Sequence, residues 1–205
     1  MAPLELLISA TGRCICFILV SSCLLLGCKS TADIDNPEPA LVTSVPTVYT
    51  IPKGAHGTKS PFSPRSVTNL KFEATFDASA VYETTDKANQ ADINKLYGLA
   101  DCKSDHHTNS ARFGWRWYKN RLEIHAYTYT NKVRRSVLVD VVELNKSYIY
   151  ELSFEDGKYA FKLNDKVVTM SRNCSGIAEG YQLYPYFGGD EAAPHDIRIS
   201  ILDLN

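Results

Sequence analysis

The chain carries no surplus of either charge: 22 Lys and Arg stand against 23 Asp and Glu, a formal net of −1. A protein that grips nucleic acid through its phosphates needs a basic excess or a basic stripe, so that class of partner is excluded. The Gly-x-Gly-x-x-Gly, Walker and Gly-x-Ser-x-Gly patterns are absent too, which removes the dinucleotide, P-loop and nucleophile-elbow readings. No internal repeat or low-complexity tract shows beyond residue 66. Cysteine is scarce where the chain folds. Of six, Cys14, Cys16 and Cys23 lie in an apolar leader and Cys28 closes it, leaving Cys102 and Cys174.

What is there begins with an uncharged run, residues 14–26, behind Arg13. A helix that spans hydrocarbon needs about 20 apolar residues, so this shorter run reads as a signal-peptide core. Leu25-Leu26-Gly27-Cys28 resembles the lipobox of bacterial lipoproteins, in which the cysteine thiol is acylated and cleavage leaves it as the first residue. The resemblance implies loss of residues 1–27, lipid on Cys28, and anchoring by that lipid alone to a membrane of the bacterial cell envelope, the outer membrane first, with the domain outside the cytoplasm. An even pair of cysteines there is most simply a Cys102–Cys174 disulfide, two buried thiols being the alternative. It would close a loop of about 70 residues, worth roughly 4 kcal/mol in chain-entropy terms.

Residues 28–66 hold six of the nine prolines and no sustained apolar periodicity, the composition of an extended tether. Residues 67–205 are long enough for one domain with a real core. Leu70, Phe72, Ala74 and Phe76 alternate with polar residues, a strand with one wet face. Further strands are expected at 111–118, 121–129, 133–142, 148–154, 158–163, 166–170, 181–187 and 197–204, with turn residues between them. About nine short strands in about 140 residues predict an all-β sandwich or barrel; only 86–97 offers a short helix.

The best-defined unit is the hairpin 111–129, because a two-residue Lys119-Asn120 turn sets its register. One face then collects Phe113, Trp115, Trp117, Leu122, Ile124 and Ala126 as core. The other collects Arg112, Arg116, Tyr118, Glu123, His125, Tyr127 and Tyr129, with Gly114 leaving a gap in front of His125. Aromatic planes beside planar charged donors suit sugars, whose CH groups stack while Arg and Glu take hydroxyls. The alternative is a solvated sheet face with an Arg116–Glu123 cross-strand pair. Gln182, Tyr184 and Tyr186 repeat the pattern on a late strand, and a side chain added at Gly114 is expected to point to solvent.

The stretch 144–168, with Tyr148-Ile149-Tyr150-Glu151-Leu152, Asp156-Gly157-Lys158-Tyr159 and Leu163-Asn164-Asp165-Lys166, together with Tyr184-Pro185-Tyr186-Phe187-Gly188-Gly189 and 197–204, resembles the concanavalin A-like lectin/glucanase jelly rolls. The resemblance implies a sandwich of two antiparallel sheets, one of them concave and glycan-binding. Glucanases of that fold carry Glu-x-Asp-x-Glu on one strand; Glu123, His125 and Tyr127 match one acid of three, and a retaining mechanism needs two. The alginate-lyase branch carries Gln-x-His and Tyr-Phe-Lys-x-Gly-x-Tyr. Glu123-Ile124-His125 and Tyr186-Phe187-Gly188-Gly189 match these in part, so His125, Tyr127 and Tyr186 are the catalytic candidates if the chain is a uronate lyase.

Asp101, Asp105, His106 and His107 offer metal-ligand types near Cys102, but neighbouring histidines on an extended chain diverge and no zinc spacing appears; no metal is assigned there. Asp190, Glu191 and Asp196 offer oxygens for calcium, or simply a solvated turn that His195 orients. Three functions remain: a glycan-binding lipoprotein with Arg112, Arg116, Glu123, His125, Tyr127, Gln182, Tyr184 and Tyr186 as its surface; a polysaccharide (uronate) lyase; and a structural or adhesion lipoprotein without a small ligand.

Overall fold

The alternation read at Leu70, Phe72, Ala74 and Phe76 is carried by a strand in which those four side chains are buried and their neighbours half-exposed. A computed structural model of the chain describes residues 45–205. Its strands are β1 (Thr47–Ile51), β2 (Pro64–Val67), β3 (Asn69–Phe76), β4 (Asn94–Ala100), β5 (Ser110–Tyr118), β6 (Arg121–Thr130), β7 (Val133–Val142), β8 (Tyr148–Glu155), β9 (Lys158–Leu163), β10 (Lys166–Ser171), β11 (Ala178–Leu183) and β12 (Ile197–Asp203). They form two antiparallel six-stranded sheets in the orders β1-β12-β3-β8-β9-β10 and β2-β11-β4-β5-β6-β7, an all-β jelly-roll sandwich. Among the described residues no helix is long and apolar enough to cross a membrane.

The inner faces meet through rings. Phe72 stacks on Tyr150 with centroids 5.0 Å apart, Phe113 sets its edge against Tyr150 and Phe161, and Trp115 lies against Phe76 and Tyr82. Phe113, Trp115, Leu122, Ile124 and Ala126 are fully buried and Trp117 packs at their margin, as the hairpin pattern requires. Left-handed φ at both Lys119 and Asn120, and again at Asn131 and Lys132, gives two tight turns whose twist matches the strands. The β5–β6 register therefore runs from Tyr118↔Arg121 to Ser110↔Tyr129.

Three boundaries differ from the sequence reading. The segment expected as tether to residue 66 supplies two strands: β1 pairs β12 from Thr47↔Ile201 to Ile51↔Ile197, burying Ile51, and β2 pairs β11. Its prolines did not forbid this. Pro46 and Pro52 flank β1, and Pro64 begins the edge strand β2, where a missing N–H need not face a partner. The possible helix at 86–97 is a 3-10 turn (Lys87–Ala91) capped by the Asp86 carboxylate, followed at once by β4. A register shift in β4 between Lys95 and Gly98 breaks the alternation that would have revealed it. The late strand ends at Leu183 rather than 187.

Cys102 and Cys174 are joined, with Cα atoms 5.8 Å apart. Beside the bridge the Arg172 guanidinium meets the Asp101 carboxylate at 2.7 Å, both fully buried, and the Tyr159 hydroxyl also donates to Asp101. This buried pair is hydrogen-bonded on several sides, the condition under which burial of charge is tolerated. The loop between β4 and β5 is thereby pinned to the loop after β10.

Candidate functional site

The β5–β6 register sets Arg112 opposite Tyr127, Gly114 opposite His125 and Arg116 opposite Glu123. The face they share is not solvated as expected. Arg112 is 6% exposed, Glu123 2%, His125 5% and Tyr127 4%. Beside β5 in the same sheet, the start of β4 closes the gap at Gly114. A Cβ there would fall 2.5 Å from Ile93 Cγ2 and 3.0 Å from the Asn94 carbonyl, so a side chain added at Gly114 would collide rather than point to solvent.

The charged residues of the face fall into two groups. On one side Glu123 accepts from Arg116 Nε and Arg121 Nε, each at 2.8 Å, and His125 Nε2 lies 3.3 Å from its Oε2. Burial pushes the Glu123 carboxyl up, but Arg116 and Arg121 outweigh it and hold the group below its ordinary range. Burial and then Arg116 push the His125 imidazole down, with Glu123 opposing, so His125 is neutral near pH 7. Both Glu123 oxygens are engaged. The cluster holds strands together and offers no free acceptor to a ligand.

On the other side is a cavity of about 520 Å³, walled by Arg112, Tyr127 and Tyr129 from the hairpin, Lys95 from β4, Arg134 from β7, Tyr184 and Tyr186 after β11, and the strap between β1 and β2. Gly98 makes room for the arginine: a Cβ on it would run into Arg112 Cβ and the Ala111 carbonyl. Arg112 Nε is buried without a hydrogen-bond partner. Among the described residues no carboxylate pairs with Lys95, Arg112 or Arg134, and none lines the cavity. Asp92 sits in a smaller cleft of about 230 Å³ that continues past Lys95 and Arg134.

The electrostatics follow from that imbalance. Burial lowers Arg112 to about 10, which leaves it charged. Burial, then Arg112 and Arg134, bring Lys95 down to about 8. Its ammonium lies 5.1 Å from the Tyr127 ring centroid and 5.7 Å from that of Tyr186, so ring faces stand where a carboxylate would ordinarily be. Burial, then Tyr129, raise Tyr127 to about 12, keeping its hydroxyl protonated.

Of the residues expected at the site, the structure brings Arg112, Tyr127, Tyr184 and Tyr186 together, places Arg116 in the adjoining cleft of about 230 Å³ beside Lys95, Tyr127 and Arg134, and leaves out Glu123 and His125. Gln182 is buried and does not line the cavity, its amide donating to the Gly98 and Leu183 carbonyls. Lys95 and Arg134 were missed. Arg134 was within reach, since the Asn131-Lys132 turn sets it opposite Tyr129. The calcium reading fails on geometry. Glu191 accepts from the backbone N–H groups of Thr85 and Asp86, Asp196 from that of Lys53, and with Asp190 they form no common donor group. His195 Nε2 lies 2.8 Å from the Ser79 carbonyl, orienting its turn. Cys28 lies outside the described residues.

Neither a protein-family model nor a curated protein matches the chain. Among solved structures it is similar to the alginate lyase vAL-1 from Chlorella virus, at 12% identity over 77% of this chain and 82% of that one, TM-score 0.47. It is likewise similar to the alginate lyase AlgAT5 from polysaccharide lyase family 7 (14%, 77% and 75%, TM-score 0.46) and to the carbohydrate-binding module CBM66 from Bacillus subtilis (11%, 78% and 94%, TM-score 0.35).

Proposed function

We propose that this chain is an exported lipoprotein, anchored through Cys28, whose sandwich domain binds an acidic glycan in the cavity between β4, β5, β6 and the 184–186 segment. The observation that carries the reading is three cations, one of them 6% exposed, around a cavity with no lining carboxylate. A buried charge without a partner is unfavourable by several kcal/mol, and an anionic ligand removes that penalty on binding. A planar guanidinium matches a planar carboxylate through paired N–H donors. The rings of Tyr127, Tyr184 and Tyr186 supply flat apolar surface for a sugar. An acidic pyranose presents both features on one residue.

Binding is preferred to lysis because the expected proton-transfer group, His125, is buried outside the cavity and engaged with Glu123. The test is calorimetric titration of the full chain with oligouronates and with neutral glucans. Binding of the acidic series alone supports the reading, and equal binding of both overturns it. Unsaturated-uronate absorbance during the titration would replace binding by lysis. The anchor rests on the sequence of 25–28: Cys28→Ser should leave an uncleaved precursor without lipid, and normal processing of that variant would remove this half of the proposal.

A further inference from the structure

Asp105, His106 and His107 lie in the loop between β4 and β5, where the acidic-glycan reading gives them no task. On an extended strand two neighbouring imidazoles would point to opposite faces, the ground on which the sequence alone assigns them no metal. The loop is not extended. The Thr108 and Asn109 N–H groups both donate to the Asp105 carbonyl, and the His107 N–H donates to Asp105 Oδ1 at 2.8 Å. The chain turns there and folds both rings to one side, their centroids 4.1 Å apart.

Their donor atoms then converge. His106 Nδ1 is 3.6 Å from Asp105 Oδ2 and His107 Nδ1 is 3.5 Å from Oδ1, and one ligand atom from each of the three residues falls within 4.8 Å of the others. Two donors held at about 2.0–2.2 Å by one tetrahedral zinc ion stand about 3.3 Å apart, so small side-chain adjustments bring this set to coordination. The loop is already fixed at both ends of the cluster. Cys102 is bridged to Cys174, the Tyr129 ring sets its edge against His107 at 5.4 Å, and Phe62 lies 6.1 Å from His106.

We propose that Asp105, His106 and His107 form a divalent transition-metal site at the mouth of the cavity. Two imidazoles and one carboxylate suit Zn²⁺ or Cu²⁺, whereas Ca²⁺ and Mg²⁺ favour oxygen donors. Three protein ligands leave a position open, and both histidines line the cavity assigned to the glycan. The Tyr181 hydroxyl, 2.8 Å from His106 Nδ1 and 3.5 Å from Asp105 Oδ2, gives up the imidazole to the ion and keeps the carboxylate as acceptor. The site rests on three converging donors and not on the glycan.

Zn²⁺ titrated into the full chain without any sugar tests it. The wild type should bind one equivalent that His107→Ala binds at least tenfold more weakly; the His107 side chain is largely exposed, so its loss spares the fold. Asp105→Asn should weaken the same equivalent, and Mg²⁺ should not compete for it. Comparing variants subtracts any zinc taken by cysteine thiols elsewhere. Equal stoichiometry and affinity in the wild type and His107→Ala would overturn the site and leave the glycan reading untouched.

Discussion

Arg112 and Tyr127 face each other across β5 and β6, and the guanidinium carbon lies 5.7 Å from the centre of the tyrosine ring. A ring face is a weak partner for a buried cation, so the pair holds the charge in place without neutralising it. An apolar side chain at 112 is therefore expected to leave the domain at least as stable, the trade seen where a site is built for a ligand.

Arg112→Met should consequently weaken binding of an acidic oligosaccharide at least tenfold while leaving the melting temperature unchanged or higher. Calorimetric titration and a thermal melt on the same sample check both halves. A large fall in melting temperature would show that the arginine is structural.

Affinity should also depend on Lys95. Its value of about 8 lies below the ordinary 10.5 because of burial, Arg112 and Arg134, with Asp92 opposing. Raising the pH through about 8 removes this charge from the free protein while Arg112 stays protonated, so binding of an oligouronate should weaken from pH 7 to 9. In Lys95→Met that dependence should vanish. The profile is read by titration at constant ionic strength, because salt screens exposed charges.

The Glu123 cluster should behave in the opposite way. Glu123→Gln strips two arginines of their shared partner, and with Arg121 half-exposed the loss is expected near 2 kcal/mol, visible in denaturant unfolding. Glycan affinity should hold in the folded fraction. His125→Ala should spare binding too. Because His125 lies below its ordinary value in the folded protein, the unfolded chain takes up the proton first. This contribution to stability is complete above about pH 6.5 and is lost as pH falls through the folded value.

Gly114→Tyr should destabilise the domain by disrupting the contact of Ile93 and Asn94 with β5, since even a Cβ meets Ile93 at 2.5 Å. Thermal melts decide it. An unchanged melting temperature would mean that Ile93 and the start of β4 move aside easily.

The features legible in sequence were those set locally. The hairpin register follows from a two-residue turn, the β3 core face from strict alternation, and the disulfide from the two cysteines left beyond residue 28. What was hidden depends on segments far apart in the chain. Tyr186 bridges to Gly57 on one side and to Lys95 on the other, and no pattern within 181–187 announces either. His125 and Tyr127 share a strand face two residues apart, yet Tyr127 lines the cavity while His125 is buried against Glu123. Lys95 was lost with β4, whose bulge erases the alternation, and β1 was lost because its flanking prolines read as spacer.

The central claim is that the cavity reads negative charge on a sugar, and it is tested most directly by comparing one oligouronate with its methyl ester. Esterification removes the charge and keeps the ring, the hydroxyls and nearly all of the shape. Binding to the free acid that weakens at least tenfold on esterification is the predicted result. Equal affinity for the acid and the ester would contradict it, and would mean that Arg112, Lys95 and Arg134 are not there to receive an anion.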